Sequence, residues 1–371
     1  MSNRTLTIPQ AVALLVVFMF GTVVILGINS DNEQDSLIAF CTSIVFIIPF
    51  GLIFAKIAAL NPETDLFQIT ERVLGKVFAS IAAVLILWYC VLVAGAVVFT
   101  FVCFVQVTSM PETPSLLFSA GMIAVCIYLA KSPVSTLGKC SVLLMIILVL
   151  FMAFITFMLI GEMHVENLMP FFEHPLPKMF YSGFGTAVFP FSQSFLLLAL
   201  GNSFKQGASM KKVFIWAFLI EFVIFFFVIF RNLTVLGYPM LVAEYYPSFI
   251  AARLVKFGTF MMRIEVLVTL NMVLAGIIKV TLCLIAGAKA VAYLLRSTDY
   301  RRMVMPVSLL ILAESLVVFR SAADEDQQLK SYPLLNFPVS VLLPVVILIA
   351  SLIKKHRTPA APKPHIPEKI P

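Results

Sequence analysis

Between Lys76 and Glu112 the chain carries no charged residue at all. Roughly 20 apolar residues cross the hydrocarbon core of a bilayer as a helix. In lipid every backbone polar group must also be satisfied internally, which leaves helices and closed barrels as the spanning structures. The pattern recurs along the chain and predicts ten helical spans, at residues 8–28, 36–59, 78–107, 114–130, 140–161, 180–202, 212–231, 260–293, 303–320 and 337–354. The third and eighth exceed what a bilayer requires, so they tilt or protrude. Only 12% of the 371 residues are charged and 61% are hydrophobic, against about 25% charge in a soluble domain. That balance excludes a soluble enzyme, a nucleic-acid-binding domain and a disordered chain.

Of the 26 Lys and Arg residues, eighteen fall in loops on one side, Lys289 among them, or in the tail on that side. Seven fall on the other, including Arg231, Arg253 and Arg263, and Lys279 alone lies inside a span. The positive-inside bias places both termini in the cytoplasm. The tail, residues 355–371, is basic and Pro-rich and reads as a disordered cytoplasmic end near anionic lipid. No small-residue cleavage site follows the first apolar run, so it is read as a retained helix. The six cysteines sit in or beside apolar runs without short spacing, as buried small hydrophobes and not as a disulfide or metal framework.

An even number of spans with both ends on one side divides into two five-helix halves, about 6–161 and 178–354, of one membrane domain. The first helix of each half carries an interruption signal. In the first half it is Phe18-Met19-Phe20-Gly21-Thr22; in the second, Ser182 through Phe191, with Gly183, Gly185 and Pro190. Glycine weakens a helix and proline removes a donor, and breaks at matching positions of two halves point to a transporter-type binding site. Amphipathic linkers match as well, one around Leu66, Ile69, Val73 and Leu74, the other around Phe249, Ile250, Leu254 and Phe257. The fold class expected is all-α and polytopic, a 5+5 inverted repeat with broken helices 1 and 6, like the leucine transporter.

Ionisable groups inside a span mark a functional site by default. Lys279, sixteen residues after Arg263, lies about 24 Å along its helix. Its ammonium is a candidate to replace a bound cation or to answer a ligand carboxylate. The structural alternatives are pairing with Glu221 and snorkelling to the interface. Arg263 and Glu265 read as outer-edge anchors or as a gate, while Glu221 and Glu314 read as structural. Asn271, Gln193 and the deep Tyr89 are candidates to face a cavity. The four histidines lie outside the spans, and no nucleophile motif or glycine-rich phosphate loop occurs. No enzymatic activity, metal or cofactor is expected.

Several segments then combine in order: Thr7-Ile8-Pro9-Gln10 with Gly21, Gln34-Asp35, Asn61-Pro62 with Leu74-Gly75-Lys76, Pro111-Glu112-Thr113-Pro114, Asn167-Leu168-Met169-Pro170, Tyr246-Pro247-Ser248, and Arg263-Ile264-Glu265 followed by Ile277-Ile278-Lys279. In this order the chain resembles the spore germination permeases, the B subunits of bacterial nutrient germinant receptors, within the amino acid–polyamine–organocation superfamily. The resemblance implies a spore inner-membrane protein that binds a small nutrient, an amino acid or similar, and works with A and C subunits. Carried over by position, the ligand pocket would comprise Gly21, Tyr89, Val93, Phe191, Lys279 and Cys283; of the polar residues read above, Gln193, Glu221, Arg263, Glu265 and Asn271 are the candidates for gating or coupling. The chain departs from many members at Phe99, Cys103 and Gln193, where those carry charges. The alternative function is an amino-acid or ion transporter working by alternating access.

Overall fold

The computed structural model describes residues 5–26, 30–108, 112–204, 207–257, 260–261, 265–319, 321–329 and 331–357. The first half comprises α1 (Ile8–Leu26), α2 (Ser36–Thr42) with α3 (Ile44–Leu60), α4 (Leu66–Leu74), α5 (Lys76–Thr108), α6 (Ser115–Lys131) and α7 (Val134–Met158). The second comprises α8 (Leu176–Val188) with a 3-10 segment (Phe191–Ser203), α9 (Met210–Ala243), α10 (Pro247–Arg253), α11 (Glu265–Leu294) and α12 (Val304–Val317). It continues with α13 (Ala322–Leu329), α14 (Tyr332–Phe337), a π-helical turn (Pro338–Leu342) and α15 (Leu343–Arg357). Among the described residues, seven helical stretches are long and apolar enough to cross a membrane, and Ile8–Gly21 and Ser115–Lys131 are shorter apolar helices. With the fourteen-residue α12, all ten predicted spans have a helical counterpart.

The surface chemistry is that of a membrane protein. On α5, Ile86, Tyr89, Val93 and Val97 are buried at helical spacing, while Val77, Ile81, Val84 and Trp88 on the opposite face are equally apolar yet exposed. A helix apolar all round belongs in a large core or in lipid. α1 forms the centre of the bundle: every residue from Ala11 to Gly21 is buried, and α11 packs along both α1 and α5.

Both predicted amphipathic linkers are helices. In α4, Leu66 and Ile69 are buried, and the Asp65 carboxylate caps the helix by accepting from the Gln68 amide at 3.0 Å. In α10, Phe249 is buried. The sequence reading places residues 232–243 in that linker, but they belong to α9, which continues past Arg231 to Ala243 and kinks at Gly237, where φ is +68°. A short hairpin follows α10, pairing Lys256 with Met261 and Phe257 with Phe260.

Candidate functional site

The second-half break forms where the sequence predicts it. α8 stops at Val188, Phe189 is extended (φ −131°, ψ 113°), and the chain rewinds as the 3-10 segment after Pro190. Proline lacks the N–H that would continue the ladder and pushes the preceding residue out of the helical region. A widened turn in the last span lies against this break. Pro338 likewise supplies no amide, and Ser340 in its π turn places Oγ 2.7 Å from Ser192 Oγ and donates to Asn336 O at 2.9 Å. Ser192 Oγ in turn lies 2.7 Å from Val188 O, at the end of α8. Gln193 and Asn336 are fully buried beside these breaks, yet neither side-chain amide makes a hydrogen bond among the described residues.

At the first predicted break the structure differs. Helical hydrogen bonding runs through Gly21 to Leu26. A single glycine costs a helix about 1 kcal/mol, too little to open one packed on all sides. Gly21 serves a different purpose: a Cβ there would stand 3.1 Å from Ala275 O, so its absence lets α1 lie directly against α11, one turn from Lys279.

Lys279 is completely buried. Its Nζ lies 5.4 Å from the ring centre of Phe18 on α1 and 5.1 Å from that of Phe189 in the break, a two-ring cation–π arrangement. The field of Glu221, on α9, reaches it. Glu221 is itself fully buried, and neither carboxylate oxygen accepts a hydrogen bond among the described residues. Phe191 packs edge-on to Phe218 and Phe225, with centroids 5.6 and 5.9 Å apart. Those rings stand about one turn to either side of Glu221, so Phe191 belongs to the wall behind that carboxylate.

Tyr89 and Val93 are buried one turn apart on α5. The Tyr89 ring lies 5.8 Å from Phe195 in the 3-10 segment, and its hydroxyl neighbours Ser340, Tyr332 and Cys283. Cys283, one turn past Lys279, is buried against Cys90. The structure thus gathers Gly21, Tyr89, Phe191, Lys279 and Cys283, with Gln193 and Glu221, around the contact of α1, α5, α9 and α11 with the break, and Val93 extends that face of α5.

Other expected residues lie elsewhere. Asn271 is two turns from Lys279, and its Nδ2 donates to Leu148 O on α7 at 3.4 Å, a tie between helices. Glu265 opens α11 and lines a separate cavity, while Arg263 lies outside the described residues. Sequence reasoning did not single out Phe18, Phe189, Ser192, Ser340 or Asn336. The two phenylalanines stand inside the quoted interruption segments, and Pro338 two residues before Ser340 was a usable signal for the π turn.

Two charges assigned to loops are buried in helices. Lys289 on α11 donates from Nζ to Ala199 O (2.7 Å) and Asn202 Oδ1 (2.9 Å), with Asp65 Oδ2 at 3.9 Å. It also lies 5.7 Å from the Tyr300 ring, whose phenol is pushed up by burial. This cluster closes the face that bears the N-terminal segment, where Leu6 donates its amide to Ser203 O at 2.7 Å. Arg231 is fully buried in α9; its Nη2 donates to Asn232 Oδ1 (2.7 Å) and Ser248 Oγ (2.9 Å), which fastens α10 to α9.

A sequence profile of spore germination proteins, the spore permeases, matches residues 5–322. The chain belongs to the spore germination protein family. Spore germination protein KB of Bacillus subtilis (strain 168) is 21% identical over 362 residues, covering 96% of this chain and 97% of that protein. Among solved structures, MhsT in complex with L-phenylalanine superposes with a TM-score of 0.68 at 12% identity, covering 97% of this chain and 94% of its own. Mhp1, a nucleobase-cation-symport-1 family transporter in a closed conformation with bromovinylhydantoin bound, superposes with a TM-score of 0.59 at 12% identity, covering 96% of this spore germination protein and 80% of its own chain. The fold is therefore that of the leucine-transporter-like membrane transporters, and the protein is a multi-pass membrane protein.

Proposed function

We propose that this protein is the B subunit of a nutrient germinant receptor. It would bind a small germinant, an amino acid or similar molecule, between the sixth-span break and the α1–α11 contact. The observation that carries this reading is the burial, in one place, of the Lys279 ammonium, the Glu221 carboxylate and the amides of Gln193 and Asn336, the last three without hydrogen bonds. Burying polar groups without partners costs several kcal/mol, and a zwitterion offers such groups both charges and donors. Phe18, Phe189 and Tyr89 supply the apolar remainder of the wall. Family membership and the transporter fold support the reading at the level of chemistry and architecture.

In this account the two termini lie in the cytoplasm, the protein resides in the spore inner membrane, and Arg263 with Glu265 edges the outer entrance. Binding favours one of two access states, which A and C subunits sense, and no covalent chemistry takes place. The test is germination of spores carrying Gly21→Trp. The indole would fill the α1–α11 contact, so nutrient-triggered germination is lost at normal protein level, while an unchanged response contradicts the pocket. The second reading, transport by alternating access, is favoured by the likeness to Mhp1. It is separated by proteoliposomes of this subunit alone: steady uptake of labelled amino acid supports transport, and binding without uptake supports a receptor.

A further inference from the structure

A cavity of about 370 Å3 lies at the face opposite the N-terminal segment, where the end of α5, the α9–α10 connection, α10 and the start of α11 meet. Its size falls in the range of small-molecule sites. It is remote from the mid-membrane cluster. Thr108 stands nineteen residues beyond Tyr89 on α5 and Glu265 fourteen before Lys279 on α11, roughly 28 and 21 Å along those helices.

Three aromatic residues line it, Tyr245, Tyr246 and Phe249. Two of them are held rigidly, since Tyr246 and Phe249 both pack edge-on to Phe104 with centroids 5.0 and 5.2 Å away. α10, which carries Phe249 and Arg253, is itself fastened from below by the buried Arg231 and Asn232, which both donate to Ser248. Such prior fixing lowers the cost of ordering a site when a ligand arrives. The Tyr246 side chain is buried, and its hydroxyl makes no hydrogen bond.

The charged groups complete the chemistry. The Arg253 guanidinium lies 5.9 Å from the Phe249 ring centre, and Glu244 and Glu265 line the same cavity. Arg253 and Glu244 form no ion pair among the described residues. A guanidinium recognises a carboxylate in a planar, two-point manner; carboxylates lining the same cavity can recognise an ammonium; and the rings accept an apolar body. We infer that this cavity is a second binding site, for a free α-amino acid with an aromatic or branched apolar side chain. Its carboxylate meets Arg253, its ammonium meets Glu244 and Glu265, and its side chain meets the rings. A phospholipid headgroup can present the same two charges but leaves the rings unused. The site does not depend on Lys279 and fails or survives separately from it.

The test is photo-crosslinking of the full-length protein in lipid nanodiscs with L-photo-leucine, a diazirine amino acid, followed by peptide mapping. Adducts are expected on the peptides holding residues 244–253 and 265–269, and excess L-phenylalanine or L-leucine competes them away. Arg253→Ala and Glu244→Gln each reduce these adducts at least fivefold and leave labelling near Lys279 unchanged. Arg253→Lys keeps part of the signal, and the methyl ester of the probe labels at least fivefold less. The inference is overturned if these peptides carry no adduct, if neither substitution changes the labelling, or if only added phosphatidylethanolamine competes.

Discussion

Lys279 and Lys289 stand ten residues apart on the same helix, about 15 Å along it, and both are buried. Their surroundings could hardly differ more. Around Lys289 there are two hydrogen-bonding oxygens, from Ala199 and Asn202, and the Asp65 carboxylate as an ion partner at 3.9 Å. They come from α4's cap and the 3-10 segment, so this lysine staples three elements together. Around Lys279 there are the faces of Phe18 and Phe189 and the field of Glu221. Nearby, Glu221, Gln193 and Asn336 are buried without hydrogen bonds. A buried charge that ties a helix cap to the 3-10 segment is structure, whereas one set against aromatic faces, beside a carboxylate and side-chain amides without hydrogen bonds among the described residues, is a site.

The contrast can be broken in a definite order. The largest effect belongs to Lys289→Met, which leaves the Asp65 carboxylate and two acceptors facing an apolar chain. Loss of one partner of a buried pair costs about 4 kcal/mol, read as a drop in thermal unfolding temperature in detergent. A loss under about 1 kcal/mol would erase the distinction between the two lysines. Gly201→Ala comes next, because a Cβ there overlaps the Thr64 carbonyl oxygen. Overpacking against backbone costs about 2 kcal/mol, and it opens the same seam. Ser340→Ala removes the Ser192 contact and the bond to Asn336 O, at about 1 kcal/mol, in the same unfolding assay. Lys279→Met comes last in stability, because methionine keeps an apolar contact with the Phe18 and Phe189 rings and removes a desolvated charge. It is expected to abolish the response to nutrient nonetheless.

What the sequence disclosed follows from which interactions are local. Spans, the amphipathic α4 and α10, and the stop at Phe189-Pro190 arise from hydropathy, periodicity and a missing amide, and each is visible within a few residues. The continuity of α1 through Gly21 is not, because the packing that holds the helix comes from Ala275, over 250 residues away. Lys289 and Arg231 read as loop residues in the sequence because charge counting assigns a positive residue near a span end to water. Their partners Ala199 and Ser248 reach them only through the tertiary fold. The Ser192–Ser340 contact likewise joins two breaks 148 residues apart. Lys279 stood out early because it lay too deep in an apolar run for any loop to claim it.

The most direct test is ligand-induced thermal stabilisation of the purified protein across a panel of amino acids, with wild type, Lys279→Met and Lys289→Met side by side. At a hundred times its dissociation constant a ligand adds about 2.7 kcal/mol to stability. With Arg253→Ala present throughout to silence the outer cavity, at least one amino acid is predicted to give otherwise wild-type protein that gain and Lys289→Met a similar gain from its lower baseline, while Lys279→Met gains nothing. An equal gain in Lys279→Met, or one lost only in Lys289→Met, would contradict the account.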